Sequence, residues 1–102
     1  MNSSYHIVIP ARFNSQRLPG KPLLDVAGKP LIQRVYECAL QSNAETITVA
    51  TDNQQIYEAV ESFNGAVCMT DKAHLSGTDR VAEATQLLGL DDDSLVLNLQ
   101  GD

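Results

Sequence analysis

YHIVIPARFNSQRLPGKPL, residues 5–23, decides how the rest of this chain is read. Its first part, YHIVIP, is a short β-branched run closed by Pro10, which predicts a first strand ending there. A loop marked by Pro19, Gly20 and Pro22 follows at once and carries Arg12, Arg17 and Lys21. The setting makes those charges conspicuous, because the chain has 13 acids against 7 Lys and Arg, a formal net charge of -6. Four of the seven cations (Arg12, Arg17, Lys21 and Lys29) fall within residues 11–29, with Asp25 as the sole acid there. A cationic loop directly after the first strand of a parallel sheet is where phosphate groups bind.

Further along the chain, strand and helix signals alternate. From Pro30, placed to suit a first helical turn, the apolar residues Leu31, Val35, Cys38 and Ala39 recur at helical spacing. TITVA, residues 46–50, predicts a second strand, after which Thr51 or Asp52 is placed to cap a helix. That helix has Ile56, Ala59, Val60 and Phe63 on its inner face, and Gly65 ends it. AVCM is a third short strand. A third helix follows with Val81, Ala84, Thr85 and Leu88 on one side and Gly89 closing it. SLVLNL, residues 94–99, is the last strand. This alternation predicts an α/β fold with a mostly parallel sheet. The near-continuous apolar run LVLNL reads as an interior strand covered on both faces, one that needs a neighbour beyond the residues present. The GKPL at residues 20–23 and again at 28–31 is too closely spaced for a structural repeat, and reads as two separate turns.

Composition narrows the function classes. At 102 residues and 43% hydrophobic, the chain is one globular domain at most. Its acidity argues against nonspecific nucleic-acid binding. No leader opens the chain and no apolar run approaches a membrane span, so a cytoplasmic protein without membrane insertion is expected. Cys38 and Cys68 are isolated, and read with Met69 as core positions bearing reduced thiols. His6 reads as a core or edge residue, and a zinc site is not expected. Asp91, Asp92 and Asp93 read as a solvated turn.

The loop fits neither common phosphate cradle. GxGxxG fails because Gly20 is the only glycine between residues 1 and 27. GxxxxGK[ST] fails at Ser15 and again at Pro22. Side chains replace the glycine cradle here: arginines grip phosphate oxygens bidentately and the lysine adds a compact charge. A second loop, HLSGTDR (residues 74–80), offers Ser76, Gly77 and Thr78 at a helix start, with Arg80 one turn in. Taken alone it is also an ordinary helix cap. A third, LNLQGD, puts Asp102 just past a strand, where one carboxylate can hold a divalent metal against phosphate.

Together IPARFNSQRLPGKPLLDVAGKPLI, ATD, HLSGTDR and LNLQGD resemble the CMP-KDO synthetases, or 3-deoxy-manno-octulosonate cytidylyltransferases. The likeness runs from Ile9 to Asp102, and the opening motif alone also admits the CMP-sialic acid synthetases. The resemblance implies a three-layer, Rossmann-like nucleotidyltransferase fold, with residues 1–102 as the N-terminal, nucleotide-binding part of a single domain. It implies that CTP and KDO react to CMP-KDO and pyrophosphate for lipopolysaccharide assembly, with magnesium as cofactor and a homodimer as the full-length state. Arg12 and Lys21 would then hold the triphosphate, and Arg17 would face triphosphate or the acidic sugar. Ser76 and Arg80 match positions around the nucleotide, Gln100 one near nucleotide and sugar, and Asp102 a magnesium ligand. The second metal-binding aspartate and most of the sugar pocket would lie beyond residue 102, so this part alone is expected to be poorly stable and inactive. The alternatives are a synthetase for another acid sugar, or a nucleotide-binding α/β module without chemistry.

Overall fold

The computed structural model describes residues 5–12, 20–70, 77–89 and 95–98. In chain order these form β1 (Tyr5–Ala11), a short 3-10 helix (Lys21–Leu23), β2 (Asp25–Val26), β3 (Lys29–Pro30) and α1 (Leu31–Leu40). Then come β4 (Thr46–Thr51), α2 (Gln54–Ser62), β5 (Val67–Met69), α3 (Gly77–Leu87) and β6 (Leu95–Asn98). The main sheet has the order β5-β4-β1-β6, and every pairing in it is parallel, as the alternation predicts. β2 and β3 make a separate antiparallel hairpin.

β1 runs through the middle of the sheet and feeds two cores. Ile7, Ile9 and Ala11 point to one face, where they meet Ile32 and Ala39 of α1 and Ile56 and Val60 of α2. Val8 points to the other, where Ala50 and Ala84 join it and Val81 and Cys68 pack alongside. This period of two in a central strand, with helices on both faces, is the three-layer arrangement. The strand passes through Pro10 to Ala11 instead of stopping at the proline. Pairing with β6 reaches only Val8, so Pro10 lies where β1 has no described partner on that side and its missing N–H costs no bond there. β6 itself stands at the edge of the described sheet, and the further neighbour expected for it lies outside the residues present.

Several local expectations are corrected. Pro30 precedes α1 in extended conformation, with ψ 147°, and does not join the first helical turn. The Leu31 N–H donates to the Leu24 carbonyl at 2.8 Å, which ties the helix start to the hairpin. Ile32 is buried together with the expected Ala39, while Cys38 lies exposed. Met69 is also exposed, at the end of β5. Cys68 is half-buried, and burial with the nearby Glu83 pushes its thiol pKa up. Neither cysteine is in a disulfide. Leu88 falls just past the end of α3 and is exposed. The cap of α2 is neither Thr51 nor Asp52: β4 extends through Thr51, and Asn53 Oδ1 accepts the Ile56 N–H at 3.0 Å.

α2 ends at Ser62, and Asn64, with φ 65°, makes the left-handed turn that the sequence assigns to Gly65. Gly65 is needed for a different reason. A Cβ there would sit 2.7 Å from both Phe63 Cε1 and Val60 Cγ1. Phe63 cannot easily yield, because its ring packs on Tyr36 at a centroid distance of 5.5 Å. Gly65→Ala is expected to lower stability by about 1–3 kcal/mol, the usual cost of overpacking, read as a shift in the denaturant midpoint. No described helix is long and apolar enough to cross a membrane.

Candidate functional site

The carboxyl ends of the parallel strands come level at one rim. Ala11 of β1 partners Thr51 of β4, and Thr51 partners Met69 of β5. The residues that leave the sheet there are Arg12, Asp52 and Thr70, with the Thr70 N–H still donating to the Thr51 carbonyl at 2.8 Å. α2 starts nearby, because Asn53 both caps it and donates its N–H to Thr51 Oγ1 at 3.2 Å. Its positive N-terminal end thus opens near the rim.

Strand alternation decides which side chains turn under this rim. Ala50 and Cys68 are register partners, and both face α3. Two residues on, Asp52 and Thr70 repeat that direction. α3 meets them with Arg80, one helical turn before the buried Ala84. The Arg80 side chain has no exposed surface. Its Nη1 donates to Thr70 Oγ1 at 2.6 Å, and its Nη2 lies 3.1 Å from Asp52 Oδ2. The Asp52 side chain keeps 19% of its surface exposed. A guanidinium can be buried this deeply only with a carboxylate and further acceptors at hand.

Lys21 is placed by the 3-10 helix. Gly20 takes a left-handed φ of 76° to start it, Pro22 is buried, and the turn packs on α1 and α2. That anchoring leaves Lys21 half-buried, and among the described residues no acceptor engages its ammonium. Lys29, the fourth cation of the opening segment, is committed elsewhere. Its Nζ donates to both Glu37 carboxylate oxygens at 3.1 and 3.0 Å, and Lys29 and then Gln33 hold the Glu37 pKa below its ordinary value. Arg34 is likewise spent, donating to the carbonyls of Val26 and Ala27 in the hairpin.

Of the sequence-predicted site residues, the structure places Arg12 and Arg80 at the same rim and seats Lys21 on its own braced turn. The Arg80 guanidinium is buried against Asp52 and Thr70. Arg17, Ser76, Gln100 and Asp102 lie outside the described residues, as do Asp91, Asp92 and Asp93. His6 is buried on β1, with Nδ1 2.7 Å from Thr46 Oγ1. Among the described residues no three His, Cys, Asp or Glu gather to hold a metal. Asp52 and Thr70 were missed as site residues. The available signal was Arg80 itself, a cation four residues from Ala84 on a face expected to be apolar.

An open parallel sheet with helices on both faces, and cations at its carboxyl rim, is an α/β arrangement suited to binding phosphate groups. The profile of the cytidylyltransferase family matches residues 6–102, and the chain belongs to that family. It is 56% identical over 99 residues to a 3-deoxy-manno-octulosonate cytidylyltransferase of Vibrio vulnificus, covering 97% of this chain and 39% of that protein. Its identity to the Hahella chejuensis protein of the same name is 59% over 100 residues, spanning 98% of the chain and 39% of the relative. A structure described as CMP:2-keto-3-deoxy-manno-octonic acid synthetase complexed with CTP superposes with a TM-score of 0.89 at 50% identity, over 97% of this chain and 41% of that one. A nucleotidyl transferase from Methanothermobacter shares the fold, with a TM-score of 0.79 at 17% identity over 99% of this chain and 51% of its own. The chain therefore spans about two fifths of the length of the curated relatives it matches.

Proposed function

We propose that the full-length protein carrying this chain is a 3-deoxy-manno-octulosonate cytidylyltransferase, joining CTP and KDO into CMP-KDO with release of pyrophosphate for lipopolysaccharide assembly. The observation that carries this reading is the 50% identity and 0.89 TM-score to a synthetase solved with CTP. The cationic opening loop, on a chain of net charge -6, agrees with it.

In this reading a KDO hydroxyl attacks the α-phosphorus of CTP, the bond to the β-phosphate oxygen breaks, and pyrophosphate leaves. The protein's work is alignment and charge neutralisation. Arg12, at the end of the central strand, and Lys21, on its braced turn, hold the triphosphate and stabilise the departing pyrophosphate. Arg17 faces triphosphate or the sugar carboxylate, and Ser76 and Gln100 line the nucleotide. Magnesium, if held at Asp102, would supply further charge neutralisation at the phosphates. A homodimer in the cytoplasm completes the proposal.

The test is pyrophosphate release by the full-length protein, assayed with each nucleoside triphosphate against KDO and other acid sugars. Release is expected with CTP and KDO together. Release with CTP and a different acid sugar replaces the substrate, and no release with any pair leaves a nucleotide-binding module.

A further inference from the structure

We propose that Arg80 serves the nucleotide rim without touching the nucleotide: it holds the Asp52 carboxylate and cancels its charge, so that an anionic ligand meets a rim of positive potential. This rests on the triphosphate reading of that rim. Its basis is geometric. The Arg80 side chain is fully buried, so a ligand arriving at the rim does not reach the guanidinium. From the first turns of α3 the guanidinium reaches two residues, Asp52 after β4 and Thr70 after β5, and so ties three elements together.

Asp52 is the part of this arrangement that meets solvent, at 19% side-chain exposure. Of the residues that directly follow β1, β4 and β5, it is the one acid: Arg12, Asp52, Thr70. Uncompensated, that carboxylate would repel a triphosphate approaching Arg12. Paired with Arg80 in a low-dielectric layer, it presents little net charge. The bonds from Arg80 also fix where the chain leaves β4 and β5, and so fix the floor on which the rim is built. An arginine in the SGTDR segment thus acts as a positioning residue through Asp52.

The experiment compares Arg80→Gln, Asp52→Asn, the double variant and Arg12→Ala in the full-length protein, measuring the CTP KM, kcat and thermal midpoint at low and high salt. Arg80→Gln is expected to raise the CTP KM about tenfold or more, less so at high salt, because it exposes an unneutralised carboxylate to the nucleotide. The double variant is expected to return KM to within about threefold of wild type, since both charges are then gone. A double variant as weak as Arg80→Gln would show that Arg80 contacts the nucleotide directly, and would overturn the proposal. So would Arg80→Gln with a lowered midpoint and an unchanged KM, which marks a purely structural brace. If Arg80→Gln does not fold, Asp52→Asn decides. It keeps an acceptor for Arg80 while removing the rim carboxylate, so KM should hold or fall, and a rise overturns the proposal. Arg12→Ala separates the two claims: an unchanged KM there removes the triphosphate reading, whereas an unchanged KM in Arg80→Gln removes only the role of Arg80.

Discussion

Lys21→Ala and Arg12→Ala, each made in the full-length protein, are expected to lower kcat/KM for CTP at least about tenfold while leaving the protein folded. A charge-assisted hydrogen bond to a phosphate oxygen is worth roughly 1.5–3 kcal/mol, and 1.36 kcal/mol is a factor of ten in rate. Lys21 is the cleaner test, because the turn that carries it is set by Gly20 and the buried Pro22 and not by the lysine side chain. Arg12 directly follows β1, so its variant needs a thermal midpoint measured beside the rate. Lys29→Ala is the control. Its ammonium is held by Glu37 on α1, and its loss should leave kcat/KM near wild type. Near-normal rates for both Lys21→Ala and Arg12→Ala would remove the opening loop from the site.

Asp102→Asn is expected to have the largest effect, abolishing turnover or demanding far more magnesium. A hard divalent cation prefers charged oxygen ligands, and the amide replaces a full negative charge with a weak dipole. The measurement is pyrophosphate release as magnesium is raised, in wild type and variant. A parallel gain of activity at high magnesium supports metal binding at this position. An ordinary magnesium response in the variant takes Asp102 out of any metal site. Direct magnesium binding by calorimetry provides a second readout that does not depend on turnover.

The parts of the fold set by burial period were legible from the residues alone. Alternation in IVI and the apolar stripe Ile56, Val60 each point one way, and the structure buries them so. Details that depend on where neighbouring elements pull were not. In α1 the expected Val35 and Ala39 do face the core, but Ile32 is buried with them while Cys38 is exposed, a detail that helical periodicity alone does not settle. The α2 cap moved to Asn53 because β4 needs Thr51 for its register with Ala11 and Met69. For the rim, Arg12 and Lys21 stood out by charge against an acidic background. Arg80 stood out too, but its direction did not: only the pairing of β4 with β5 puts Asp52 and Thr70 where a buried guanidinium needs them.

The central position of β1 also has a consequence for how the chain is made. Tyr5 is partnered with Leu95, and Val8 with Asn98, residues synthesised long after β1. β1 can pair with β4 once Thr46–Thr51 has been synthesised, but its other edge must wait for β6. At roughly 5–20 residues per second, that wait lasts on the order of a few seconds, during which a strand edge of Ile and Val lies unprotected. Such distant pairing is slow to form and open to capture by another nascent chain. The strand that carries Arg12 to the rim is thus synthesised well before one of the two strands it pairs with. Yield of soluble protein should therefore depend more on the rate of synthesis and on chaperone supply than the stability of the finished fold would indicate.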